Sequence, residues 1–127
     1  MKPQTPKSQL FVKNTANEKV SKEVPISREK YGEVADHISD AQKHGHPDIL
    51  TIARDRASSN RKESIGNLPK VPGKQLDEYP PAMFKEGGRE ASVKHIKPRD
   101  NRGSGACIGF QCKELSDGSK IRIDVVD

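Results

Sequence analysis

The stretch Asp77-Glu-Tyr-Pro-Pro-Ala-Met-Phe-Lys-Glu-Gly-Gly88 is followed by Asp100-Asn-Arg-Gly-Ser-Gly105 and then by Gly109-Phe-Gln111. Carboxylates, an asparagine and a glutamine alternate there with glycines and basic residues. Carboxylate and amide oxygens hold hard divalent cations, and such a cation neutralises phosphate charge and lowers the pKa of a bound water. Basic residues that can hold neighbouring phosphates lie close by: Lys97, Arg99 and Arg102. The pattern indicates metal-assisted cleavage of a phosphodiester.

The ordered string LDEYPPAMFKEGG…ASVKHI…DNRGSG…IGFQ…DGSKIRI closely resembles the NucA/NucB deoxyribonuclease family, from about Leu50 to Val126. Its most specific part is 77–111, since a bare DEYP or DNRG would mean little. The family comprises small, non-specific, metal-dependent DNA endonucleases of the ββα-metal type. The resemblance therefore implies an α+β fold: a small ββα-metal nuclease core with flanking helices and a short antiparallel sheet. In that core a metal-binding helix follows a hairpin.

The resemblance also implies roles for individual residues. Many ββα-metal nucleases place a histidine where this chain has Asp77, which we expect to act as general base or to orient water. Glu86 is expected to be a metal ligand or a second catalytic acid. The amide oxygen of Asn101 suits Mg²⁺, Mn²⁺ or Ca²⁺, and Gln111 could reach the cation or a phosphate. Arg102 is the candidate for stabilising the pentavalent phosphate.

Each of these roles has a structural alternative. Asp77 could simply cap a turn, and Glu86 could be an ordinary exposed glutamate. Asn101 could form an Asx-turn or a helix cap as well as binding a cation, and Gln111 could lie on a helix surface. Glu78 follows Asp77 directly, and on an extended segment the two side chains point to opposite faces, so both are not expected to reach one ion.

The positive charge of the chain is unevenly distributed. The net charge is +5, but residues 1–30 carry seven basic and three acidic residues, whereas residues 31–127 carry 16 and 15. The overall pI is therefore weak support for nucleic-acid binding, and local clusters say more. The side chains expected to contact DNA phosphates are Lys85, Lys94, Lys97 and Arg99. The alternative is a solvated surface of mixed charge.

The length of 127 residues allows one domain, which we divide into a flexible basic leader at 1–26 and a nuclease domain at 27–127. The N-terminus lacks the apolar region of a signal peptide, and no apolar run is long enough to span a bilayer. We therefore expect no membrane segment, and delivery as the toxin module of a larger secreted effector. Such a toxin would need a cognate immunity protein as partner.

Hydrophobic periodicity predicts the elements of the folded part. Apolar residues at helical spacing from Tyr31 to Ala41, after a cap at Ser27, indicate an amphipathic helix. The other predicted elements are strands at Ile49–Ile52, Ala82–Phe84, Ser92–Ile96 and Lys120–Val126, and helices at Ala57–Ile65 and Gly105–Leu115. Pro80 and Pro81 exclude a central strand there.

The cysteines and histidines leave several alternatives open. Cys107 and Cys112 could be free thiols or form a disulfide, and metal binding lacks a second ligand pair. Three histidines cluster near the end of the first helix: His37, His44 and His46. A polar helix end is the more common explanation of this group than a metal site. His95, on a predicted strand, could be catalytic but lies outside the family motif.

Together these patterns predict a metal-dependent, sequence-non-specific DNA endonuclease with Mg²⁺ or Mn²⁺ as cofactor. Two alternatives stay open: a catalytically inactive nucleic-acid-binding module, and a ribonuclease on the same scaffold. The intact motif argues against the first alternative, and the sequence does not distinguish DNA from RNA.

Overall fold

A computed structural model describes residues 19–127 of the chain. Within this range the chain forms five strands, three α-helices and one 3-10 turn, which confirms the predicted α+β class. In chain order they are β1 (Lys22–Ser27), α1 (Gly32–Lys43), β2 (Ile49–Thr51), the 3-10 turn (Arg54–Arg56), α2 (Ala57–Ile65), β3 (Gln75–Tyr79), β4 (Ser92–Ile96), α3 (Pro98–Cys112) and β5 (Lys120–Val126).

The C-terminal strand β5 is the centre of a three-stranded sheet. It pairs in parallel with β1 and antiparallel with β2. Ile121 and Ile123 are buried on one face of β5, as their alternation predicts. Val24 and Ile26 of β1 are fully buried too, because side chains two residues apart on a strand point to the same face.

Strand β1 corrects the predicted boundary between leader and domain. The boundary after residue 26 falls inside this strand, so residues 22–26 belong to the fold. Pro25 made the segment look like a linker, but β1 is an edge strand, where proline is tolerated. Residues 1–18 of the predicted leader lie outside the described residues.

The second sheet and the helix after it form the predicted ββα unit. Strands β3 and β4 pair antiparallel, and α3 follows β4 directly. The first strand of this unit is β3, whereas the predicted strand at 82–84 is wrong. That segment forms turns with a single bridge from Phe84 to Ile52, because Pro80 and Pro81 end the regular pairing before it begins.

Helix α3 begins seven residues earlier than predicted, at Pro98. Proline is favourable in the first turn because its missing N–H would lack a helical partner anyway. Acidic side chains at the N-termini of α1 and α3 also accept hydrogen bonds from each other's backbone N–H groups. The Glu33 N–H donates to Asp100 Oδ2 at 3.1 Å, and the Lys97 N–H donates to Glu33 Oε1 at 2.7 Å. Because α3 begins at Pro98, Asn101 lies near its N-terminus, beside the hairpin strand β3.

Tyr79, at the end of β3, is almost completely buried and joins α1 to the loop before β2. Its hydroxyl donates to the Pro47 carbonyl at 2.7 Å and accepts from Gln42 Nε2 at 2.9 Å. Burial raises the pKa of Tyr79 above its ordinary value of 10.0.

The raised pKa of Tyr79 predicts alkaline destabilisation. The unfolded chain loses the phenolic proton near pH 10, while the folded chain retains it. The stabilising contribution of Tyr79 to the free energy of unfolding is therefore fully present below pH 10 and is lost as the pH rises further. We expect the free energy of unfolding to fall more steeply above pH 10 in the wild type than in Tyr79→Phe. Urea unfolding of both proteins from pH 8 to 11 measures this difference, and parallel pH profiles would contradict it.

Candidate active site

Asp77 lies on β3 and is held by a buried histidine. The side chain of Asp77 is 15% exposed, and its Oδ2 lies 2.7 Å from Nδ1 of His37 on α1. The other ring nitrogen of His37 lies 2.9 Å from Ser92 Oγ on β4. A continuous hydrogen-bonded chain therefore runs from Ser92 through His37 to Asp77. It fixes the orientation of the carboxylate.

Asp77 and Asn101 line the same cavity, of about 280 Å³. Asn101 Nδ2 donates to Gln75 Oε1 at 3.0 Å, which turns the amide oxygen away from Gln75. Among residues 19–127, no hydrogen bond engages Asn101 Oδ1 or the second oxygen of Asp77. The rest of the wall is largely apolar and includes Val34, Ile38, Pro81, Ala82, Met83 and Ile108. Two side chains that each keep one oxygen outside any hydrogen bond within residues 19–127 therefore line one partly apolar pocket.

Arg61 and Glu78 form the charged rim of this cavity. Glu78 is buried and accepts a hydrogen bond from Ser64 Oγ at 3.0 Å. Its other oxygen lies 3.6 Å from a guanidinium nitrogen of Arg61, whose side chain is 64% exposed. The negative charge of Glu78 is therefore already paired, and the accessible group at the rim is the Arg61 cation. Nothing in the sequence around Arg61 places it at this cavity.

Glu86 does not line this cavity. Its two oxygens accept hydrogen bonds from the backbone N–H of Thr51, at 2.8 Å, and from the Thr51 hydroxyl, at 2.9 Å. The two glycines after it pack against the protein itself. A Cβ on Gly87 would lie 2.7 Å from the Pro81 carbonyl oxygen, and Gly88 has a φ of +100°. The conformation of the loop accounts for the Glu-Gly-Gly sequence.

Asn60 fixes the same loop from the other side. It is 2% exposed, and its Nδ2 donates to the carbonyl oxygens of Ala82 and Phe84 at 3.1 and 3.0 Å. These bonds hold the 82–84 segment, which forms one wall of the cavity. Asn60 lies in a polar helix sequence with no local signal for burial, so sequence reasoning missed it.

The remaining predicted site residues do not line the cavity. Gln111 Nε2 donates to Cys107 Sγ at 3.1 Å and to the Pro25 carbonyl at 3.4 Å, facing β1. Arg102 is exposed on α3 and does not line the cavity. The predicted phosphate contacts are all exposed: Lys85, Lys94, Lys97 and Arg99. Of these, Lys94 pairs directly across from Asp77.

His37 is a site residue whose position the sequence signals. The apolar helix positions 34, 38 and 41 place residue 37 on the same face, so a buried histidine needing polar partners could have been predicted. The other histidines do not contact Asp77, although His44 and His46 line a second pocket together with His37. His44 bonds the Asp40 carbonyl of its own helix, His95 bonds the Pro69 carbonyl, and burial lowers the pKa of His46.

Cys107 and Cys112 are free thiols in the structure, and burial raises the pKa of the Cys112 thiol. Within the described range 19–127, no group of three or more histidine, cysteine or acidic side chains is arranged to hold a metal ion. Any cation at the cavity would therefore have to rely on amide oxygens and water besides a carboxylate.

Comparison with known proteins defines the class to which this fold and site belong. The sequence model of the deoxyribonuclease NucA/NucB family matches residues 37–124, and the chain belongs to this family. The match begins at His37 and covers both Asp77 and Asn101.

A curated relative is the DNA-entry nuclease of Bacillus subtilis (strain 168), which is 44% identical over 93 residues. The matched region covers 73% of this chain and 63% of the relative, so the chain spans less than two thirds of that protein.

Proposed function

We propose that this chain is a metal-dependent endonuclease that hydrolyses DNA with little sequence preference. The observation that carries the proposal is that Asp77 and Asn101, each with one side-chain oxygen outside any hydrogen bond within residues 19–127, line the same cavity. Membership of a deoxyribonuclease family and the name of the relative support DNA as the substrate.

The donors at the cavity fit a hard divalent cation. Asn101 offers a neutral amide oxygen, which suits Mg²⁺ or Mn²⁺ with several retained waters, and the Asp77 carboxylate lines the same cavity, where it could accept a proton from one of those waters. Asn101 would hold the cation through Oδ1, with Gln75 fixing the amide orientation. When bound, the cation would neutralise phosphate charge and lower the pKa of a coordinated water.

The side chains of the protein would supply proton transfer and phosphate binding. Asp77 would accept a proton from the attacking water, since a carboxylate ionised at neutral pH can act as a general base. Arg61 at the rim and Lys94 across from Asp77 would bind the phosphates of the DNA backbone. Arg102 keeps its predicted role toward the phosphate only if the DNA reaches the exposed side of α3.

Asn101→Ala is expected to raise the Mg²⁺ concentration needed for half-maximal activity by about tenfold or more, because it removes an oxygen ligand. Gln111→Ala is the matched control, since the Gln111 amide faces β1. Metal titrations of plasmid cleavage compare the two variants with the wild type. Equal metal requirements in Asn101→Ala and the wild type would contradict this ligand assignment.

The same titration tests the predicted ligand role of Glu86. If Glu86 binds the cation, Glu86→Gln raises the metal requirement and Thr51→Val leaves it unchanged. If its bonds to Thr51 are its whole role, we expect both variants to lower the melting temperature and neither to change the metal requirement.

The choice between DNA and RNA is tested with matched substrates. Supercoiled plasmid and an RNA transcript of the same sequence are incubated with the protein and Mg²⁺. We expect the plasmid to be nicked and the RNA to stay intact. Cleavage of RNA alone would favour the ribonuclease alternative, and binding without cleavage of either would favour an inactive binding module.

We further propose that the chain acts outside the cell that makes it, as the nuclease module of a delivered effector with a cognate immunity protein. No helix within residues 19–127 is long and apolar enough to cross a membrane. The exposed cations near the cavity would favour an acidic inhibitor. Expression of the active chain in the cytoplasm without a partner should be toxic, and harmless expression would contradict the toxin proposal.

A further inference from the structure

The buried hydrogen-bonded chain behind Asp77 has a consequence for catalysis. His37 is 3% exposed, and both of its ring nitrogens are engaged, by Asp77 Oδ2 and by Ser92 Oγ. A side chain so enclosed has no free atom with which to contact a DNA phosphate. Any effect of His37 on the reaction must therefore pass through Asp77.

The partners determine where the proton of the imidazole lies. An ionised Asp77 only accepts hydrogen bonds, so Nδ1 of His37 must donate to it. In the neutral ring Nε2 then accepts from the Ser92 hydroxyl, which can donate. The three residues come from α1, β3 and β4, so the chain of bonds joins the helix to both strands of the hairpin.

We propose that His37 is a positioning residue, with Ser92 as its support. By donating to Oδ2, it turns the other oxygen of Asp77 toward the cavity, where the attacking water must be oriented. This inference rests on the proposed function, since it assumes that Asp77 is the general base. It adds to the family motif a residue 40 positions earlier in the chain.

Two substitutions separate positioning from simple packing. In His37→Asn the side-chain nitrogen takes approximately the place of Nδ1 and can still donate to Asp77. In His37→Gln the nitrogen lies nearer the place of Nε2, toward Ser92. We expect His37→Gln to lower kcat by about 10–100-fold with KM for DNA nearly unchanged. His37→Asn should retain most of the wild-type kcat.

Ser92→Ala provides the test when either His37 variant does not fold. It removes only the outer hydrogen bond and should lower kcat less than His37→Gln, again at nearly constant KM. Melting temperatures of all variants are measured in parallel. The positioning role is overturned if Ser92→Ala and folded His37→Gln both have the kcat of the wild type. It is also overturned if His37→Asn and His37→Gln lose the same stability and the same activity.

Single-turnover cleavage in an Asp77→Ala background completes the test. His37→Gln should cause no further loss there, because its effect passes through the missing carboxylate; a further loss of the same size would overturn the proposal. Full activity of Asp77→Ala by itself would instead refute the base assignment in the proposed function. An inactive Asp77→Ala with a wild-type kcat in folded His37→Gln would overturn only the positioning role.

Discussion

Asp77→Ala is expected to lower the rate of DNA cleavage by about 10²–10⁴, the usual effect of losing a general base. DNA affinity should stay nearly unchanged, because the basic side chains near the cavity are retained. The fold should also survive, since Asp77 is partly exposed and is not a member of the apolar core. Single-turnover plasmid cleavage and a DNA-binding titration measure the two quantities separately.

Asp55→Ala is the matched control for this experiment. Asp55 is an exposed carboxylate on the 3-10 turn and does not line the cavity. The Asp55→Ala variant should cleave at the wild-type rate. A rate loss confined to Asp77→Ala would therefore assign the catalytic role to the carboxylate at the cavity. Wild-type cleavage by folded Asp77→Ala would contradict its role as the base.

Deleting residues 1–27 is expected to abolish cooperative folding, whereas deleting residues 1–18 should leave a folded and active domain. The longer deletion removes β1, which pairs with the central strand β5 and buries Val24 and Ile26. Loss of one large buried side chain typically costs about 2–5 kcal/mol, while a whole domain is stable by only about 5–15 kcal/mol.

Circular dichroism during thermal unfolding compares the two truncated proteins. Ile26→Ala in the full chain provides an intermediate case, with an expected loss of about 2–5 kcal/mol. A cooperative transition at the wild-type temperature after deletion of residues 1–27 would show that β1 is dispensable, as the sequence-based boundary assumed.

The sequence was sufficient where a signal is local. The alternation at Ile121 and Ile123 located β5, and helical spacing located α1. It failed at β1, where Pro25 interrupts a short apolar pattern and burial depends on pairing with β5, about 100 residues later in the chain. Nothing within residues 22–27 reveals that partner.

For the candidate site too, the sequence identified some residues and left the contacts of others undetermined. Asp77 and Asn101 were identified from the family motif, and the fold brings them to one cavity. Glu86 belongs to the same motif, yet its oxygens bond Thr51, which lies 35 residues earlier. A motif shows which residues occur together but not whether each contacts the substrate or holds a loop. The burial of His37 could have been predicted from helical spacing, but its bond to Asp77 depends on what its helix packs against.

The most direct test of the account is plasmid nicking by the purified protein with and without EDTA. We expect nicked and then linear DNA in Mg²⁺, no cleavage after addition of EDTA, and recovery within minutes once excess Mg²⁺ or Mn²⁺ is added. Asp77→Ala should stay inactive under every one of these conditions. Undiminished cleavage by the wild-type protein in EDTA would contradict the proposed mechanism.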